Sequence, residues 1–359
     1  MSGAELARSL HDEVVAPLLR REFPAASWVA GRFGGGSDVL GLDDEVSTDH
    51  DWGLRLTVLT DAATDATDVV RFLEEDLPEE FLGAPVRFPT TWDAVARHRV
   101  EVAPLAEFVA GRLGVGPEDP WSVTDWLAFT GQAVLEVVAG PVFADDEGRW
   151  AALRDRLRWY PDDVWRHLVA CSWKQLEQEL PFVGRAGSRG DDLGSRLVAA
   201  RLVDVAVRLG LLLDRVWVPY PKWVGTVFAR SVSGGTGSQL TACLTACLTA
   251  PEWRSREAAL CRALEELRER QREVGLPVAD VATGRFHDRE FQGVPERASE
   301  VVLETVEDPG VRALPVGVGS VDQWVSSVDL LVDTTRRRSA TAAVAGRASP
   351  VRGDTTPAP

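Results

Sequence analysis

Cysteine is scarce, lysine is nearly missing, and no long apolar run occurs anywhere in the chain. The 359 residues hold four cysteines, Cys171, Cys243, Cys247 and Cys261. So few in so long a chain exclude a disulfide framework and predict reduced thiols. Cys243 and Cys247 lie four apart in TACLTACLTA and would share a helix face. No His or Cys follows within the next dozen residues to complete a metal site, so they read as small packing residues. No run of about 18 uncharged apolar residues is present, which excludes a membrane-spanning helix. The opening segment, MSGAELARSLHDEVV, carries acids early and alternates at helical period, unlike a secretory leader. A cytoplasmic protein is therefore expected.

Lysine occurs only at Lys174 and Lys222, so arginine supplies nearly all of the 39 basic residues. Against them stand 55 acids and a formal net charge of −16. Such a chain lacks the basic stripe of a nucleic-acid binder. A nucleotide is not excluded, because a few local donors and a metal can meet its phosphates. The overall field would favour a small cationic substrate.

The length suits two domains. Residues 4 to 22 carry Leu6, Leu10, Val14, Leu18 and Leu19 on one helical stripe. SWVAGRF, WGLRLTVLT, APVRF and RVEVA read as strands, and TDATDVVRFLEEDL as a helix between them. Beyond about residue 104 the period becomes helical, in segments such as DDVWRHLVACSWKQLEQEL and REAALCRALEELRERQREVG. The expected fold is α+β: a small mixed-sheet domain over 1–115, a helical bundle over 116–333, and a disordered tail over 334–359 that lacks large apolar residues. Of the 13 tryptophans, Trp159, Trp165, Trp173, Trp217 and Trp223 are expected mostly to fill the bundle core.

One segment carries chemistry: GGGSDVLGLDDEVSTDHDWG, residues 34 to 53. Gly35, Gly36 and Ser37 allow close backbone approach and offer donors that can hold a phosphate. Asp49 and Asp51 flank one residue at the mouth of a strand, so both carboxylates would project to one face. Paired carboxylates repel unless a cation lies between them, and oxygen-only ligands suit Mg²⁺ or Mn²⁺. The bland alternative is a solvated acidic loop.

Gly36-Ser37 followed by Asp49-x-Asp51 resembles the signature of the polymerase-β-like nucleotidyltransferase superfamily. The longer string GSDVLGLDDEVSTDHDWG is similar to a bacterial family within it, domain of unknown function 4037, and the similarity runs through YPDDVWRHLVACSWKQLEQELPFVGRAG to GSVDQWVSSVDLL. The resemblance implies a small sheet domain followed by a helical domain closing a cleft. It implies transfer of a nucleoside monophosphate from a nucleoside triphosphate, expected to be ATP, to a hydroxyl of a small molecule. Gly35, Gly36 and Ser37 would then seat phosphates, and Asp49 and Asp51 would bind metal. A third carboxylate is expected on a later strand: Glu101 in RVEVA, with Asp93 in TTWDAV as substitute, although that segment reads as a capped helix start. Lys222 in PYPKW would reach the triphosphate. Arg196 and Arg201 would meet phosphate or pair with Asp191 and Asp192, and His287-Asp288 lacks the further histidines of a metal phosphohydrolase. Protein adenylylation, a toxin–antitoxin role and non-catalytic nucleotide binding are the competing functions.

Overall fold

The structure, a computed structural model, describes residues 3–42, 54–90, 93–231 and 236–346. Helices and small sheets mix as the α+β reading expects. The chain divides into two compact units. The first comprises residues 1–120 and 132–159, and the second 121–131 and 160–359. This division departs from a single boundary near 115, because residues 142–145 return to the sheet of the first unit. That contribution is an edge strand, VFAD, too short to announce itself within a helical stretch.

Four strands form the first unit's sheet, in the order Val100–Pro104, Leu56–Thr60, Trp28–Gly31, Val142–Asp145. Leu56–Thr60 runs parallel to Val100–Pro104 and antiparallel to Trp28–Gly31. A parallel pair needs a long crossover, and the helix Ala66–Asp76 lies on it, its first turn capped by the Asp65 carboxylate accepting from Thr67 N–H at 2.8 Å. All residues of the two central strands are buried, which explains their β-branched and aromatic content.

Because side chains alternate along a strand, Trp28, Ala30, Leu56 and Val58 form one face. They pack on Leu6, Leu10, Val15 and Leu19 of the N-terminal helical segment and on Val69 and Leu73 of the crossover helix. Each such burial contributes roughly 1.5–3 kcal/mol. The amphipathic stripe read from the sequence is thus the core face, although a π-helical turn, His11–Val15, interrupts the helix. Thr57 points to the opposite face, and its partner in register is Glu101.

Asp93 begins a strand, Asp93–His98, paired with Arg87–Thr90, and not a helix. The run holds no helical stripe, and residues 94–97 are all exposed, so pairing with Arg87–Thr90 decides its form. Its carboxylate accepts from Val95 N–H at 3.1 Å and from Arg99 at 3.2 Å, and these bonds hold its pKa below the usual range.

The second unit is helical. Asp162–Gly187 and Asp192–Leu213 pack together, joined by a short turn in which Asp191 caps Gly194 N–H at 2.7 Å. Trp253–Glu273 packs against both. Indole N–H groups buried here find acceptors: Trp165 bonds the Leu212 carbonyl at 2.8 Å, and Trp173 bonds Gln271 at 2.6 Å. Arg256, almost fully buried, donates to Ser195 at 2.6 Å and to Asp192 at 2.8 Å. Trp159, Trp165, Trp173 and Trp217 are all buried, as are Cys243 and Cys247.

The tail differs from the expectation of disorder. Thr334–Ala345 is a helix whose N-cap, Asp333, accepts from Arg336 N–H at 2.9 Å. It packs on Val123–Ala128, with Arg337 and Thr341 buried and Arg338 paired to Asp125 at 2.8 Å. Polar anchors replace the apolar ones whose absence suggested disorder. Among the described residues, no helix is long and apolar enough to cross a membrane.

Candidate functional site

The strand Trp28–Gly31 ends in a turn whose shape is set from inside by Arg32. This guanidinium, 5% exposed, holds the Asp38 carboxylate with two bonds, Nε at 2.5 Å and Nη2 at 2.9 Å. It also donates to the carbonyls of Phe33 at 2.6 Å and Gly35 at 3.0 Å. Gly34 and Gly36 take φ of +82° and +140°. A Cβ on Gly36 would stand 2.2 Å from an Asp38 oxygen and 2.7 Å from Arg32, so no side chain fits. The triple glycine is therefore a fixed corner and not a slack linker.

Arg32 thus takes the carbonyls of Phe33 and Gly35. Gly34 N–H bonds the Glu136 carbonyl at 2.8 Å. Gly35 and Gly36 are exposed, and their N–H groups find no acceptor among the described residues. Ser37 closes the following turn, its carbonyl accepting from Leu40 and Leu42 N–H.

Beside this corner lies a cavity of about 500 Å³, lined among the described residues by Gly34, Gly35, Arg55, His98, Arg99 and Glu101, with others. Glu101 reaches it from the strand adjacent to Leu56–Thr60, on the face shared with Thr57. Its half-exposed carboxylate pairs with Arg112 at 3.4 Å. Arg112 also pairs with Glu136 at 3.4 Å and lies 3.3 Å from the centre of the Phe108 ring. Its Nη2 would be 3.0 Å from a Cβ on Gly34, so one guanidinium spans the glycine corner and Glu101.

Arg99 is fixed by two bonds to the Phe88 carbonyl, at 2.9 and 2.7 Å, and by Asp93. Asp93 thus acts as an anchor for a cavity arginine. His98 is buried, and that burial holds its imidazole below the ordinary range, against the opposing pull of Glu74 at 3.2 Å. Sequence reasoning missed Arg55, His98 and Arg99. Their only signal was polar side chains beside apolar strand positions, and Arg55 meets Arg99 through the parallel pairing of the strands that follow them.

Gly35 and Glu101 thus come together at one cavity, next to Gly36 and Ser37. Asp49 and Asp51 lie outside the described residues. Lys222 belongs to the second unit, in the turn Pro221–Trp223, with Nζ 4.8 Å from the Trp223 ring centre. Arg196 pairs with Asp192 at 2.6 Å and Arg201 with Glu179 at 2.6 Å, both intramolecular ion pairs. Asp288 is 89% exposed. Among the described residues, no group of three His, Cys, Asp or Glu is placed to hold a metal.

Residues 126–224 match a family described as Domain of unknown function (DUF4037). No curated protein matches the chain. Among solved structures, a nucleotidyltransferase-like protein from Exiguobacterium sibiricum 255-15 matches over 86% of this chain and 91% of its own, at 15% identity. The TM-score is 0.32, too loose a superposition to argue from.

Proposed function

We propose that the first unit is a nucleotidyltransferase centre, taking a nucleoside triphosphate at the glycine corner and passing its nucleoside monophosphate to a hydroxyl. The carrying observation is that Gly35 and Gly36 are exposed, their N–H groups without an acceptor among the described residues, beside a cavity that also holds Arg55, Arg99 and Glu101. Exposed amides in a rigid corner bind anionic oxygens without reorganisation. Two arginines in the same cavity add charge where a triphosphate would need it.

The donor chemistry suits a hard divalent ion. Glu101 offers an oxygen at the cavity, and Asp49 and Asp51 precede Arg55, a cavity residue, in the chain. Those two aspartates would hold Mg²⁺ or Mn²⁺, which would neutralise phosphate charge when bound. The remaining roles fall to the chain itself. Gly35, Gly36 and Ser37 seat the phosphates, Arg55 and Arg99 orient them, and Glu101 accepts the proton of the attacking hydroxyl. The acceptor oxygen bonds to the α-phosphorus as the bond to pyrophosphate breaks. Arg112, now paired with Glu101, must give way to phosphate before Glu101 can serve as a base.

The test is pyrophosphate release from the four nucleoside triphosphates, with Mg²⁺ and pooled hydroxyl acceptors. Release dependent on a small acceptor supports the proposal. Label transferred to a protein supports a protein-modifying enzyme instead. Metal-dependent nucleotide binding without release under any acceptor overturns transfer and leaves a binding protein.

A further inference from the structure

A second cavity, of about 420 Å³, lies wholly within the helical unit. Its lining includes the carboxylate of Asp322. Asp322 accepts from Gly131 N–H at 2.6 Å through one oxygen, and the other finds no hydrogen-bond donor among the described residues. Burial raises its pKa despite the nearby guanidiniums of Arg208 and Arg337. Arg208 and Arg337 act on it at Coulombic range only, so its second oxygen is left to the cavity.

The other charges around the cavity are committed. Arg201 pairs with Glu179 at 2.6 Å, and Arg208 with Asp204 at 2.8 Å. Arg337, outside the lining, donates to the Leu331 carbonyl at 2.8 Å and meets Asp322 only at Coulombic range. Both lining guanidiniums are thus already matched by carboxylates. Meanwhile Gln175, Gln178 and Ser326 line the cavity with polar groups that make no hydrogen bond among the described residues. Trp324 adds an aromatic surface of the kind on which cations pack. A cavity of this size holds a metabolite.

We propose that this cavity binds a small organic ammonium ion, with Asp322 as its counter-ion and Gln175, Gln178 and Ser326 bonding its polar substituents. The net charge of −16 would draw such a ligand in, while the lone carboxylate selects where it rests. The inference rests on the helical unit alone and stands or falls apart from the nucleotide reading.

Calorimetric titration of the full chain with putrescine, ethanolamine and choline tests it, with butanediol as the uncharged control. At least one ammonium probe should bind, one ion per chain, and Asp322→Asn should weaken it about tenfold or more. Asp288→Asn, which removes a charge that is 89% exposed, should leave the affinity unchanged. Should Asp322→Asn fail to fold, Ser326→Trp, at an exposed lining position, fills the cavity and should cause the same loss. Absence of binding by all three ammonium probes overturns the proposal. So does equal binding of butanediol, or an affinity indifferent to Asp322→Asn or, where that variant does not fold, to Ser326→Trp. A loss with Asp288→Asn as large as that with Asp322→Asn would mean diffuse attraction to an acidic surface, and would overturn it too.

Discussion

Replacing Gly36 by alanine should do far more damage than replacing Gly35, one residue away. At Gly36 the backbone φ is +140°, and an added Cβ would lie 2.2 Å from Asp38 and 2.7 Å from Arg32. The conformation alone costs a residue with a Cβ roughly 1–2 kcal/mol. Displacing Asp38 also breaks or stretches a bond to a buried guanidinium, worth about 1.5–3 kcal/mol. Together these predict a loss of about 2.5–5 kcal/mol, near the upper end for single substitutions. At Gly35 the nearest atom to an added Cβ is a Glu136 oxygen at 3.9 Å, and φ is not positive. Gly35→Ala should therefore change stability by less than about 1 kcal/mol, while its methyl group weakens triphosphate binding at the adjacent amides. Because the chain has two compact units, a single unfolding midpoint would mix them. Hydrogen exchange of the Trp28–Gly31 and Leu56–Thr60 amides reads the first unit directly. Gly36→Ala should lower their protection by about a hundredfold to several thousandfold. If the two variants lose protection equally, or Gly36→Ala loses none, the corner is not held by Arg32 as described.

Two further outcomes follow from buried polar groups. Burial holds the imidazoles of His98 and His167 below their ordinary range, so the unfolded chain takes up protons first. Stability should then fall as pH drops below about 6.5, and His167→Gln should flatten the slope seen in urea titrations at several pH values. Comparing that variant with the parent separates the imidazole from Asp322 and Glu257, whose raised carboxyls act in the opposite sense. Ending the chain at Asp333 should lower the melting temperature by at least about 5 °C, since it removes the buried Arg337 and Thr341 and the Arg338–Asp125 pair. An unchanged melting curve would restore the view of residues 334–345 as an unattached tail.

Much of the fold was legible because period reports burial. The stripe of Leu6, Leu10 and Leu19 and the alternation in Leu56–Thr60 each named the face that the core uses. Part of the cavity lining was legible for a similar reason: glycines in series signal a special backbone, and an acid between valines, Glu101, signals a side chain turned away from the core. Asp93 misled because an Asp can cap a helix or open a hairpin strand alike; here pairing with Arg87–Thr90 decides. The 334–345 helix misled because its anchors are a guanidinium and a hydroxyl, which composition counts as solvent-facing. Arg55, His98 and Arg99 were invisible for a different reason. Arg55 and Arg99 gather because each precedes one strand of the parallel pair, Leu56 opposite Val100, a long-range pairing that no local pattern encodes.

The central claim is that the glycine corner and the acids around it form one phosphate-transferring centre. Pyrophosphate release by the intact chain and by Asp51→Asn, each with Mg²⁺ and a nucleoside triphosphate, addresses it most directly. Turnover in the parent chain and none in a variant that keeps its melting temperature is the predicted result; equal turnover in both would contradict the assignment.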